Sequence, residues 1–406
     1  MGINRRRRDH ATAALTRPIH TALALLLAVN FMAAPVAHAD ARDQAKRIHD
    51  RLAGTPPTED VLQTMVDLIE SGNPNGAEQA AFEAMQNPSF YNVTLKNLAT
   101  PWTNRDQTVF APLNDYTATF IGMVRDDVSF DQLLSANLVY HANGANVGGQ
   151  TPPAYSPSNN NHYEWLEENG VDLQAELVAA TQTDMSGLPA NATAGLMTTR
   201  AAAEAFFVAG TNRAQLRFTL LNHLCQDMEQ FKDITRPADR VRQDVSRSPG
   251  GDSRIFLNNC VGCHSGMDPM AGAFAFYNYD PDAGRLVYTP GSVQAKYRAN
   301  EETFSPGYIT TDDSWVNYWR EGPNQLKGWS GSLPGFGSGA KTMGQELANS
   351  QAFAACQVER AFKVACLRDP VDSFDRQKVA DMTAAFTVDY QIKPVFAEAA
   401  AYCMGD

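Results

Sequence analysis

The chain has 406 residues, 44% of them hydrophobic and 19% charged, with a formal net charge of −12. That balance suits a globular protein. The acidic excess argues against nucleic acid or an anionic membrane as the main partner.

The N-terminus sets the compartment. Arg5 to Arg8 and Arg17 form a basic head, Thr21 to Met32 an apolar run broken only by Asn30, and Ala37-His38-Ala39 a small-x-small cleavage site. Residues 1–39 therefore read as a signal peptide, with Asp40 as the mature N-terminus and a bacterial periplasm as the destination. A membrane anchor is the alternative, but the run falls short of the ~20 residues a span requires. No cysteine follows it to carry a lipid, and no later stretch is long enough to span. The arginine run is not followed by the rest of a twin-arginine signal. Removing residues 1–39 lowers Lys+Arg from 33 to 28 and Asp+Glu from 45 to 44, a mature charge of −16.

The mature chain reads as mainly α. Ala41 to Leu52 is a helix stopped by Gly54, Pro56 and Pro57. Thr58 caps "TEDVLQTMVDLIESG", which puts Val61, Met65, Leu68 and Ile69 on one face. Further helical patterns cover 77–86, 129–137, 171–183, 199–208 and 213–230, then 345–366, 373–388 and 391–403. Composition marks 143–161, 246–253 and much of 286–340 as loops. These elements divide into an N-terminal helical region (40–185), a central region (186–300) and a C-terminal helical module (301–406).

Six cysteines occur, at 225, 260, 263, 356, 366 and 403. Cys260 and Cys263 stand in "NNCVGCHSGMDPMAGAF" and belong together. The other four suit two disulfides in an oxidising compartment. Cys356 and Cys366 lie ten residues apart on one expected helix. Their Cα atoms would be ~15 Å apart by the helical rise, beyond the ~7 Å a disulfide tolerates. Two pairings remain; Cys225–Cys356 with Cys366–Cys403 is the expectation and free buried thiols the alternative.

Cys-x-x-Cys-His serves covalent haem, zinc or a redox disulfide. A redox disulfide normally opens a helix in a βαβ context, which is missing here. Zinc needs further ligands at suitable spacing, and there is no second Cys-x-x-Cys or His pair. Haem fits, since both thiols can reach the two vinyl groups of one porphyrin and His264 can ligate the iron. A single such motif argues against a di-haem peroxidase or a multihaem wire. For the opposite axial position, Met343 is the first candidate, 79 residues beyond His264 at the end of the glycine-rich "LPGFGSGAKTM"; core packing is its alternative. His223 is the fallback.

The segment Cys260, Cys263, His264, Met267-Asp268-Pro269, Gly272, Phe276 to Asp280 and Gly284-Arg285 resembles the haem segment of the planctomycete-type cytochrome c proteins. Residues 90–140 and 346–370 are similar to that family's flanking modules. The pattern departs at Tyr277, where the family has a glutamate, at one extra residue before Gly284, and at Cys366 in place of a glycine. The resemblance implies a mainly helical fold around one c-type haem and a periplasmic setting, and little about substrate. Asp268, preceding a proline, is expected to be extended or in a turn. Arg285 is the candidate to pair with a haem propionate. Phe274, Phe276, Tyr277 and Tyr279 are expected to line the haem crevice or the core.

These readings converge on an exported monohaem c-type cytochrome passing single electrons to a redox partner protein. The alternative is a haem enzyme with an open distal side, or the haem subunit of a larger oxidoreductase. The length favours that alternative, since a bare carrier needs far fewer than 367 mature residues.

Overall fold

The computed structural model describes residues 39–142, 149–208 and 210–405. The expected signal peptide lies outside the described residues except for Ala39, and so does the first part of the expected loop 143–161. The first helix, α1 (Ala41–Ala53), begins just after the expected cleavage site. Thr58 caps α2 (Glu59–Glu70) by accepting a hydrogen bond from the Val61 amide. Leu62 and Met65 are the buried residues of α2, with Val61, Leu68 and Ile69 half-buried beside them. With α3 (Gly76–Ala84), these helices pack against α9 (Gln351–Cys366) and α11 (Ile392–Tyr402), so residues 41–84 meet the last helices of the chain.

Between these ends, α4 (Asp115–Arg125) is buried along almost its whole length and packs against α5 (Arg200–Phe206) and a two-stranded sheet. The sheet pairs β1 (Val139–Ala142) antiparallel with β2 (Leu177–Ala180). Helix α6 (Arg213–His223) carries the chain to α7 (Val261–Ala271). Two further antiparallel pairs follow, β3 (Tyr277–Asp280) with β4 (Arg285–Tyr288) and β5 (Ser314–Val316) with β6 (Phe336–Ser338). Helices α8 (Gly339–Ala348), α9, α10 (Ser373–Asp389) and α11 close the fold. The chain is mainly helical, and residues 41–404 form one compact unit spanning all three regions read from sequence. Among the described residues no helix is long and apolar enough to cross a membrane.

Several helices expected from the sequence are cut short by tertiary bonds. The 129–137 pattern yields a single 3₁₀ turn, Phe130–Gln132. The carbonyls of Leu133 and Ala136 instead accept from the amides of Leu196 and Gly195. The 171–183 pattern breaks because Leu177–Ala180 pairs with β1. The 213–230 helix ends at His223, where Cys225 takes a left-handed conformation (φ 55°) to reach its disulfide partner. The 345–366 pattern is two helices, with Ser350 capping the second. The expected loop 286–340 holds most of β4 and both strands of the last sheet.

Both expected disulfides form, Cys225–Cys356 and Cys366–Cys403, each with Cα atoms 5.3 Å apart. They tie the end of α6 to α9, and the end of α9 to the end of α11. The loops they close, 131 and 37 residues in separation, differ in chain-entropy value. Replacing both cysteines of a pair by alanine should cost about 5 kcal/mol for the long loop and about 4 kcal/mol for the short one. Denaturant unfolding of the two double variants measures both losses, and equal stability to the parent chain would show that the thiols are unpaired.

Candidate functional site

The motif sits on a continuous helical run. Asp252 accepts from the Arg254 amide and starts it; a short helix (Ser253–Ile255) and one π-type turn (Phe256–Cys260) lead directly into α7. A π-type turn inserts an extra residue into the helical repeat and frequently marks a functional site. Phe256 is its buried anchor, packed with Val241 and Val261, and Cys260 lies against that cluster. The neighbouring Leu257 is 56% exposed, one turn before Cys260.

Two glycines fix how α7 is seated. A Cβ at Gly266 would lie inside the indole of Trp319, and one at Gly262 would collide with Lys232. Their spacing of four puts both on one helical face. That face is pressed against Lys232–Ile234 and Trp319, while Cys260, His264 and Asp268 follow one another at the same spacing on another face. The Cys263 sulfur, half-buried, comes within 3.8 Å of the Met228 carbonyl. Burial pushes the Cys263 thiol pKa up, and the nearby Glu229 adds to the shift. With the other four cysteines in disulfides, Cys260 and Cys263 are the two free thiols of the chain.

His264 is held by Asp268. Its Nδ1 lies 3.1 Å from Asp268 Oδ1, and the Asp268 side chain has no exposed surface. The carboxylate also takes Arg213 in a bidentate contact, Nε to Oδ1 at 2.7 Å and Nη2 to Oδ2 at 3.0 Å. The Arg242 amide donates to Oδ2 at 3.2 Å. Arg213 in turn grips Asp244 at 2.6 and 2.9 Å. Burial by itself would raise the Asp268 pKa, but Arg213, the His264 hydrogen bond and the Arg242 charge outweigh it and hold the group well below the usual carboxylate range. An ionised Asp268 can only accept, so the proton between the two residues belongs to Nδ1. Among the described residues no hydrogen bond engages Nε2, and the ring keeps 21% of its surface exposed.

Asp268 corrects the sequence expectation. It is helical, and Pro269 lies inside α7 rather than after it. An interior proline costs ~3 kcal/mol, and its predecessor prefers an extended backbone. Once Asp268 is buried, losing its guanidinium partner would cost a comparable ~3–5 kcal/mol, so residue 268 is held in the conformation that keeps that contact. Sequence reasoning left the part played by Asp268 open and missed Arg213, Asp244 and Arg242. The four-residue spacing of His264 and Asp268 was a readable signal for the first; the arginines, 55 and 26 residues away from Asp268, left none.

The other expected site residues lie apart from this cluster. Met343 is wholly enclosed, 0% exposed in the main core, and its helix packs against the turns 130–132, 195–198 and 272–274. Arg285 is exposed at the start of β4, opposite Asp280. Phe274 and Tyr277 are core residues, and the Tyr277 hydroxyl donates to the Ala192 carbonyl at 2.7 Å. Phe276 packs in a small separate cluster with Ala275 and Tyr297. His223 is fully buried between Trp102 and Tyr116, with its Nε2 2.7 Å from the Tyr116 hydroxyl. A cleft of about 640 Å³, lined among others by Arg105, Glu164, Arg200, Glu204 and Tyr279, contains none of Cys260, Cys263 and His264.

The donor set separates two of the chemistries left open by the motif. Zinc requires three or four side chains converging on one point at ~2.0–2.3 Å; among the described residues no group of three His, Cys, Asp or Glu side chains does so. Thioether attachment needs no convergence of all three side chains on the metal, because the sulfurs bond the porphyrin rim and only the imidazole meets the iron. Two free thiols beside a histidine with Nε2 unengaged, and an exposed Leu257 next to them, fit that requirement. No family model, curated protein or solved structure matches this chain. The candidate site therefore rests on its own residues.

Burial, with the charge of Arg360 adding to it, lowers the His223 pKa to about 3 from its ordinary 6.5. The unfolded ring takes up a proton near pH 6.5 and the folded ring does not. Stability should therefore fall as pH drops from 6.5 towards 3, by on the order of 4 kcal/mol in all. His223→Gln should flatten this part of the stability profile, measured by denaturant unfolding across that range. An unchanged slope would show that His223 does not carry it.

Proposed function

We propose that this chain is an exported c-type cytochrome that passes single electrons to a periplasmic redox partner. The single observation that carries the reading is the state of the cysteines: four are spent in disulfides, and the two that remain free stand just before His264 on one helical run. Cys260 and Cys263 would tether one haem through thioethers, and His264 would bind its iron through Nε2. A haem held there supplies the one-electron couple of its iron. The helix seated by Gly262 and Gly266 keeps the three attachment residues in register. The resemblance of residues 258–285 to the planctomycete-type cytochrome c proteins agrees with this assignment, and the disulfides suit the oxidising compartment that the signal peptide of residues 1–39 addresses.

One observation favours a second reading. Met343, the residue proposed to complete the coordination, is enclosed by protein on every side, and His223 is tied to Tyr116. A haem whose sixth position neither residue fills would be open to a small molecule such as peroxide or oxygen.

Secretion of the chain in a bacterium equipped for c-type haem maturation separates the cases. The pyridine haemochrome should report one haem per chain, lost in the Cys260→Ser, Cys263→Ser double variant; a haem-free wild type would end the proposal. If the ferric spectrum carries the weak red sulfur-to-iron band, abolished in Met343→Ala, and the ferrous form ignores carbon monoxide, the carrier stands. High-spin ferric iron and ready carbon monoxide binding assign the open-site reading instead.

A further inference from the structure

Resting on the haem assignment, we infer that Asp268 is a positioning residue that makes His264 an unusually strong electron donor to the iron. The geometry differs from a histidine whose Nδ1–H is merely capped by a neutral carbonyl. Nδ1 faces a full carboxylate at 3.1 Å, and that carboxylate has no exposed surface. A carboxylate behind a metal-bound imidazole fixes the tautomer, orients the ring and raises the basicity of the ligating nitrogen. Strong donation stabilises ferric over ferrous iron, so the couple is held to a lower potential than the same haem would have with a neutral partner on Nδ1.

The surrounding charges limit the effect without cancelling it. Arg213 is shared between Asp268 and Asp244, and the Arg242 and Arg247 charges act on the same cluster, but neither of these two guanidiniums hydrogen-bonds Asp268. The Arg242 amide occupies Oδ2, on the side away from the histidine. Oδ1 is left facing His264 and Arg213 Nε together. Because Asp268 sits one helical turn beyond His264 on α7, the pair moves as one rigid unit, and the direction of the hydrogen bond does not depend on any loop. Pro269 is the next residue, so the helix accepts its least favourable member where the carboxylate is required.

The test is the midpoint potential of the full-length, haem-loaded protein, measured for the parent and three variants. Asp268→Asn, which keeps the shape and removes the charge, should raise the potential clearly. Asp268→Glu, which restores a carboxylate on a longer arm, should bring it part of the way back. Asp244→Asn removes a negative charge from the same cluster without touching His264 and should move the potential much less than Asp268→Asn. Equal shifts in Asp268→Asn and Asp244→Asn would reduce the effect to bulk charge and overturn the inference, as would no shift in Asp268→Asn. If the residue-268 variants fail to accumulate, the parent protein itself decides: with ¹⁵N-labelled histidine, the Nδ1 proton of His264 should exchange slowly with solvent, and fast exchange would overturn the inference. The pyridine haemochrome of the same samples keeps the outcomes apart. A parent chain without haem defeats the underlying assignment, whereas a loaded chain with an unmoved potential defeats the role of Asp268 alone.

Discussion

The buried carboxylate of Asp268 joins three segments that are distant in sequence: α6 through Arg213, the 241–244 stretch through the Arg242 amide and Asp244, and α7 through His264. Desolvating a carboxylate is costly, and the cost is recovered only while each partner is in place. That constraint makes the cluster all-or-none. It accounts for the proline tolerated inside α7 and for the helical conformation of the residue before it. It also fixes the ring of His264 from behind, which leaves the Nε2 lone pair without a hydrogen-bond partner among the described residues.

The seating of α7 is the second requirement, and it is steric rather than electrostatic. Trp319 lies so close to Gly266 that no side chain fits between them, and Lys232 stands in the same relation to Gly262. The back of the helix is thereby fixed by close packing, while Cys260 and His264 keep part of their surface. A helix held on one side by glycine contacts and at its far end by an ion-pair cluster has little freedom to tilt. The proposed attachment through two thiols and one imidazole would require that rigidity, since the three groups would have to meet one planar porphyrin together.

The disulfides act on a different scale. Cys225–Cys356 anchors the end of α6, whose first residue is Arg213, to the C-terminal helices, and Cys366–Cys403 closes those helices on one another. The Asp268 cluster is thus backed by a covalent frame, and the same pairing leaves Cys260 and Cys263 as thiols. The partition of six cysteines into two bridges and one free pair is therefore both a structural and a chemical feature of the chain.

Much of this was legible in the sequence, where local chemistry decides. The helices from 41 to 70 follow apolar periodicity and capping residues such as Thr58, and those from 373 to 402 lie close to their expected bounds. The disulfide pairing followed in part from the ten-residue separation of Cys356 and Cys366 on one helix. The Cys-x-x-Cys-His motif is contiguous, so local spacing alone brings its residues together. Sequence patterns failed where a backbone group found a distant partner: Leu133 and Ala136 gave their carbonyls to residues 196 and 195, and Leu177–Ala180 became a strand because β1 was there to pair with it. The buried state of Met343, the packing of His223 against Tyr116, and the convergence of Arg213, Arg242 and Asp244 on the Asp268 cluster depend on which segments meet. Spacing along the chain carries no record of that, because burial and charge pairing are properties of the folded neighbourhood. The sequence by itself determined the Cys-x-x-Cys-His motif that we propose holds a haem; only the tertiary structure decided which carboxylate stands behind the histidine.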